Sequence, residues 1–536
     1  MKKEIRLVLG FLFLQIAGFG QSYQLIREKV FGGTANELPV MFTKTNGSEF
    51  IVTALSYSDS SGNKTTTKCN PVGSEGWVFK IDTGFNFIWQ KRFANAQTRI
   101  YLQSISNSAN YFLTTISGGP PSCEKTDSTK GGADYWLIKI DDNGNKIWDK
   151  SIGGLGDESN SAIAELSTGE FLLYGFSKSL QIGGDKSVPN YGNINVWVVK
   201  IDSNGTKIWD RVYGGSNAEA FNLVVEPLPN GSFLLATATY SSSSGTISGT
   251  LHGVVNVWIT LIDSAGNVVW DKMYGGNRTD IPTAIVQAED GGFIIFSSTM
   301  SDQGFDISEP KKSIGDVWML KIDSLGNKEW DRRFGAGPNS GGVGLNFSVA
   351  KAPGIGYWIL GSANGNAAND LTDNGYGNYD YWVLLIDSLG NKVWDKRFGG
   401  PGHDYGYILH VMPDSSVVLA GHSWPGISSV KSEFGYGSAD VWMLQFRYDP
   451  TITTVDEAAL GKSATIYPNP TEDVLYVSGV DGDAEISIFN YLWQPAVHST
   501  RIMNDTGLSI ATLPAGVYLV RLQTKQYIKM MRFVKM

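Results

Sequence analysis

Histidines and a periodic set of carboxylates are the side chains in this 536-residue chain best equipped for chemistry. Of five histidines, His403, His410 and His422 lie close together in sequence. His403 and His422 are expected at the ends of neighbouring strands, with His410 pointing deeper. A metal or acid/base site would need a third convergent ligand. No G-x-S-x-G elbow, H-E-x-x-H helix or phosphate loop occurs. No catalytic, cofactor-binding or metal-ligating residue is therefore assigned. Carboxylates or amides stand two residues before a Trp at Glu75, Asp134, Asn195, Asn256, Asp316, Asp380 and Asp440. Others follow glycine-rich turns at Glu37, Glu158, Glu219, Asp280 and Asp404. Such a ring could hold cations or a sugar. A feature repeated in unit after unit is expected instead to cap backbone amides at its turn.

The elements that carry these residues are repeated. One Trp series runs Trp77, Trp136, Trp197, Trp258, Trp318, Trp382 and Trp442, in steps of about 60 residues. A second follows each of the first six at twelve residues: Trp89, Trp148, Trp209, Trp270, Trp330 and Trp394. One unit parses into the strands "TAIVQAE", "FIIFSST", "DVWMLKI" and "KEWDRRF". Four strands in each unit point to an all-β propeller. In the third hairpin, pairing Asp202 with Thr206 would put Val199 opposite Trp209 and Trp197 opposite Arg211. Both Trp side chains would then share one face, with Val196, Val198, Ile208 and Val212 on the other. Apolar residues on both faces suit a sheet packed between neighbours, so the Trp pairs are read as packing rather than a ligand cage.

"YQLIREKV" before Phe31 fits a fourth strand with no third, and "ADVWMLQFRYDP" at Ala439–Pro450 a third strand with no fourth. Together they predict a seven-bladed β-propeller over residues 21–450, closed by the N-terminal strand and leaving no sheet edge free. The connections at one face are tight turns. Those at the other are long and varied, so any ligand is expected there. Cys69 and Cys123 fall in such loops of adjacent blades; a disulfide between them and two unpaired thiols are the alternatives.

Net charge is −9 with no basic block, which argues against nucleic acid as a partner. Lys2, Lys3 and Arg6 precede a short apolar run, so residues 1–20 read as a signal peptide. The mature chain is expected to be exported through the periplasm and soluble.

Beyond the repeats, residues 451–462 read as a linker and 463–536 as short strands of a small β-sandwich. This tail resembles the type A C-terminal sorting domain of type IX secretion substrates in Bacteroidetes. The resemblance rests on Tyr467, Pro468, Asn469 and Pro470, on Leu513, Pro514, Gly516 and Tyr518, and on a basic end at Lys529, Arg532 and Lys535. It implies an outer-membrane translocon and a surface sortase as partners, with delivery to the cell surface or the medium. The repeats resemble tandem ~60-residue repeats common in that phylum. Their hairpins are also similar to the Trp-docking repeat of quinoprotein propellers, through Asp202, Gly205 and Trp209; the residues of that family's cofactor site are not identified here. Ser128, Ser264, Ser324 and Ser388 lie in sequences similar to the O-glycosylation acceptor of these bacteria, though a turn explains at least the last three equally well. The resulting expectation is an exported propeller that binds a glycan or a surface protein through its long-loop face. The alternatives are a polysaccharide hydrolase or lyase, and a purely structural part of a surface assembly.

Overall fold

The computed structural model describes residues 23–45, 49–69, 73–94, 103–107, 110–337, 347–449, 465–479, 484–490, 495–503, 506–523 and 528–536. The signal-peptide reading (1–20) and the linker reading (451–462) fall outside them. The described residues are all-β, and among them no helix is long and apolar enough to cross a membrane. Chain contacts divide them into two compact units, one being Ile26–Gln445 and the other including Phe446–Met536.

The larger unit is a succession of four-stranded antiparallel sheets. The third is representative: Glu158–Glu165, Phe171–Ser177, Asn195–Ile201 and Lys207–Tyr213 pair in chain order. The first sheet begins at Glu37–Lys44, the second at Gln103–Asn107, the fourth at Glu219–Pro227, the fifth at Asp280–Gln287 and the sixth at Ser348–Ala352. In the fifth, the second to fourth strands are Phe293–Thr299, Asp316–Ile322 and Lys328–Phe334, the boundaries read from sequence. The last sheet runs Asp404–Val411, Val417–Ser423, Asp440–Tyr448 and then Tyr23–Phe31, so the N-terminal strand occupies the fourth place. Each sheet is open and keeps two edge strands. The expectation that no edge would remain is thus corrected: sheets meet through their faces, not by continuous strand pairing.

The core lies between those faces, as two-sided apolar strands require. One cluster joins Phe112, Tyr135 and Leu137 of the second sheet to Leu173, Trp197 and Val199 of the third. Another joins Phe42, Phe50 and Trp77 of the first sheet to Val418, Val441 and Met443 of the last.

The hairpin register differs from expectation. Asp202 N–H does donate to Thr206 O (3.0 Å), and Gly205 takes φ 71°. Ile201 then pairs with Lys207 but Lys200 pairs with Trp209, leaving Ile208 as an unpaired bulge residue, 48% exposed. Trp197 consequently lies opposite Val212, and Val199 opposite Asp210. One extra residue moves everything beyond it to the other face. Trp197 packs toward the second sheet, whereas Trp209 packs toward the fourth.

In the smaller unit the strands Thr465–Tyr467, Val474–Ser478 and Gly507–Ser509 form one sheet. Pro495–Ile502, Ala484–Asn490, Gly516–Gln523 and Ile528–Lys535 form the other, in that order. Leu475 and Val477 share a core with Ile486, Val520, Leu522 and Phe533, which makes the unit a β-sandwich.

Candidate functional site: the long-loop face

The long loops are held down by a residue that sequence reading passed over, the Asp that follows five of the six second-series Trp, with Gln90 in that place after Trp89. Asp210 Oδ2 accepts from the Trp197 indole (3.0 Å) and Ser187 N–H (2.9 Å), and Lys207 Nζ donates to Oδ1 at 3.0 Å. Asp149, Asp331 and Asp395 repeat this with Trp136, Trp318 and Trp382. Burial pushes the Asp210 carboxyl up, but Ser187, Lys207 and Trp197 donate to it and the outcome is a pKa below the ordinary value. The dipeptide "WD", repeated five times in the sequence, was the available signal.

The recurrent acidic and amide residues are also buried and bonded. Asn195 Oδ1 accepts from Tyr191 N–H (2.7 Å) and Gly192 N–H (3.0 Å), while its Nδ2 donates to Glu219 of the next sheet (2.6 Å). Glu219 also accepts from Thr239 and Ser241 hydroxyls, each at 2.9 Å. Asp134 accepts from Lys130 N–H and Glu158 from Gly154 N–H. These side chains cap turns and link neighbouring sheets. Their burial leaves them no access to a ligand. A glycine follows the fourth strand in every sheet but the first and makes room for them: a Cβ on Gly153 would lie 2.1 Å from Asp134 Oδ1.

Among the histidines, the fold separates His410 from the other two. Its ring packs near Phe42 and Phe50 of the first sheet, at 5.9 and 6.3 Å between centroids. His403 and His422 instead flank Tyr405 at 5.8 and 5.0 Å. Tyr379, at the start of a sixth-sheet strand, stacks on Tyr405 at 5.1 Å. Tyr407 lies 5.3 Å from His422, and Trp424 meets His403 at 4.8 Å edge-on. Tyr405 Oη and His403 Nδ1 are 3.3 Å apart. Burial holds His422 down at about 4, so its imidazole is neutral at physiological pH. Five of these six residues lie at or beside strand ends on the long-loop face, and Tyr407 sits further into its strand. Trp424 is 46% exposed, and Ile427, Phe434 and Tyr436 nearby in sequence are exposed as well. The composition favours stacking and hydroxyl hydrogen bonding over charge recognition. Among the described residues no three His, Cys, Asp or Glu side chains are grouped to hold a metal.

The structure joins Cys69 and Cys123 in a disulfide with Cα atoms 6.2 Å apart, linking long loops of the first and second sheets. Ser128, Ser264, Ser324 and Ser388 are all exposed. In the tail, Asn469 Oδ1 accepts from Val534 N–H (3.0 Å), and Tyr467 stacks on Tyr476. Tyr518 is buried, stacks on Phe533 and donates to Pro514 O (2.9 Å); Leu513 joins the same core. The recurrent motif residues of the tail thus build the sandwich and anchor its last strand.

With this geometry in place, comparison with known proteins identifies the tail. Residues 465–536 match the secretion system C-terminal sorting domain, which marks the chain for type IX export to the cell surface or the medium. The chain is similar to an uncharacterized WD repeat-containing protein of Acanthamoeba polyphaga mimivirus, 23% identical over 269 residues, covering 42% of this chain and 19% of that protein. Among solved structures, the Neurospora crassa Pan2 WD40 domain aligns at TM-score 0.42 and 11% identity, covering 79% of this chain and 97% of that one. A polysaccharide lyase, ulvan lyase, aligns at TM-score 0.43 and 9% identity, covering 77% and 97%.

Proposed function

We propose that the chain is an exported, seven-bladed β-propeller that binds a neutral glycan through the aromatic cluster on its long-loop face. The observation that carries this reading is the grouping of Tyr379, His403, Tyr407 and His422 about Tyr405, with the exposed indole of Trp424 against His403. Sugar rings present C–H faces that stack on aromatic rings, and their hydroxyls suit Tyr and neutral imidazole partners. A charged surface-protein partner would find little ionic complementarity at these six side chains.

The seven-blade ring is supported by the last sheet. Glu28 of the N-terminal strand accepts from the Trp442 indole (2.9 Å) and from Ser432 N–H (2.6 Å). Asp210 makes the same two kinds of bond with Trp197 and Ser187. The N-terminal strand therefore carries the side chain that a fourth strand supplies elsewhere, and the shared core of first and last sheets fits closure.

The route proposed is a signal peptide at 1–20, passage through the periplasm, and a type A sorting tail of Bacteroidetes type, read by the outer-membrane translocon and removed by a sortase. A disulfide between Cys69 and Cys123 suits that oxidising destination. Glycans on Ser128, Ser264, Ser324 or Ser388 would add mass to the secreted form.

Affinity electrophoresis tests the binding reading. The mature protein should be retarded in gels containing a neutral polysaccharide, and Trp424→Ala should lose most of that retardation at unchanged melting temperature. Equal retardation of both proteins, or retardation only by anionic polymers, would overturn it.

A further inference from the structure

Among the described residues a side-chain clasp marks the junctions of the second and third, third and fourth, fourth and fifth, and last and first sheets, and two of these carry aspartate where the other two carry asparagine. Asn195 Nδ2 donates to Glu219 Oε2 at 2.6 Å, and Asn256 Nδ2 to Asp280 Oδ2 at 3.4 Å. A backbone bond accompanies each: Glu219 N–H to Ile194 O, and Asp280 N–H to Val255 O. The same backbone bond joins Glu158 N–H to Ala133 O, and Glu37 N–H to Ala439 O. There the residues in the asparagine places are Asp134 and Asp440, and their carboxylate neighbours are Glu158 and Glu37. All four carboxyl groups belong to residues at most 1% exposed.

The hydrogen bonds around these pairs lack one donor. Glu158 accepts from Gly154 N–H and from the Ser177 and Ser179 hydroxyls. Glu37 accepts from Gly33 N–H, Ser56 Oγ and Ser58 N–H. Asp134 Oδ2 and Asp440 Oδ2 accept backbone N–H groups, while Oδ1 of each is buried with no hydrogen-bond partner. Where asparagine supplies an N–H, an ionised aspartate has nothing to give and sets a second negative charge beside the first.

The surrounding cations do not replace that donor. Lys125 and Asp185 lie near Asp134, while Lys186 and Tyr135 lie near Glu158. Lys64 lies near Glu37 and Lys431 near Asp440. Each ammonium is turned to loop acceptors: Lys125 to Gly119 O, Lys186 to Val188 O, Lys64 to Ser58 O and Thr66 O, Lys431 to Trp424 O and Ser423 Oγ. Asp380, facing Asp404, differs because Arg397 binds it directly.

We propose that in a mildly acidic medium Asp134 and Asp440 are carboxylic acids in the folded protein, each donating its proton to the carboxylate of the neighbouring sheet, Glu158 and Glu37 respectively. The proton does what the asparagine amide does at the other junctions. One of these clasps, Asp440 with Glu37, joins the last sheet to the first, where the ends of the repeat region meet. Closure of the repeat region is then pH-sensitive, firm in mild acid and weaker as the medium becomes alkaline.

Burial first, then the neighbouring carboxylate, pushes Asp134 up to about 7 and Asp440 up to about 6. Groups whose folded values are raised contribute stability in acid and lose it as pH rises through those values. The test is thermal denaturation of the full mature protein and its variants at about pH 4.5 and about pH 8. Asp440→Asn and Asp134→Asn should each raise the midpoint at about pH 8 by roughly 3 °C or more, with little change at about pH 4.5. Asn195→Asp, installing a third such pair, should lower the midpoint at about pH 8 only. Shifts of equal size at the two pH values, or destabilisation by both asparagine variants at about pH 8, would overturn the proposal.

Discussion

Asp210 shows how much one side chain holds in this protein. It ties its own sheet's tryptophan, the loop residue Ser187 and the strand residue Lys207 to one carboxylate that is 1% exposed. Truncation would leave an indole N–H and a loop amide without partners in a buried place. Asp210→Ala is therefore expected to cost about 3 kcal/mol, read by urea denaturation, with the m-value retained. The role was legible in principle, since "WD" recurs at fixed spacing, but a sequence shows neither burial nor which loop amide will arrive. The aromatic site was legible only in part. His403 and His422 can be placed on one face from strand ends, whereas the register that pairs Tyr405 with His422, and the arrival of Tyr379 from the sixth sheet, needed coordinates.

At the scale of the hairpin, the structure is governed by a bulge and a glycine. In the fifth sheet the second to fourth strands could be read to the residue because apolar alternation and the Asp-x-x-Gly turn agree, whereas the first, read as Thr283–Glu289, runs Asp280–Gln287. The facing of the two tryptophans could not, because a single unpaired residue leaves no mark in composition. The bulge residue Ile208 is exposed, so Ile208→Thr should change stability by no more than about 0.5 kcal/mol. Gly205 is under two constraints: φ is 71°, and a Cβ would stand 2.7 Å from the Trp148 ring of the preceding sheet. Gly205→Ala should cost roughly 1–3 kcal/mol, measured in the same denaturation series. A larger loss for Ile208→Thr than for Gly205→Ala would show that the register is wrong.

For the whole molecule, the repeat period could be read from tryptophan spacing, and the pairing of the N-terminal strand with Asp440–Tyr448 from the two partial units, because repeats are visible within one chain. The inter-sheet clasps were seen as a periodic acidic feature, but their partners are contributed by the next unit and needed coordinates. The tail is another matter: its motif residues build a sandwich whose address is read by other proteins. Reduction of the Cys69–Cys123 bond, which links two adjacent sheets, should lower stability by about 2–4 kcal/mol without changing secondary structure, as judged by denaturation with circular dichroism.

The central claim, that the long-loop face recognises neutral sugar rings by stacking, is tested most directly on a glycan array. The mature protein would be probed beside Trp424→Ala and Tyr405→Ala at matched folded concentration. The account predicts a restricted set of neutral glycans bound by the wild type, with signals reduced about tenfold or more in both variants. Binding that survives both substitutions, or a blank array with folded protein, would contradict it and assign the face to another partner.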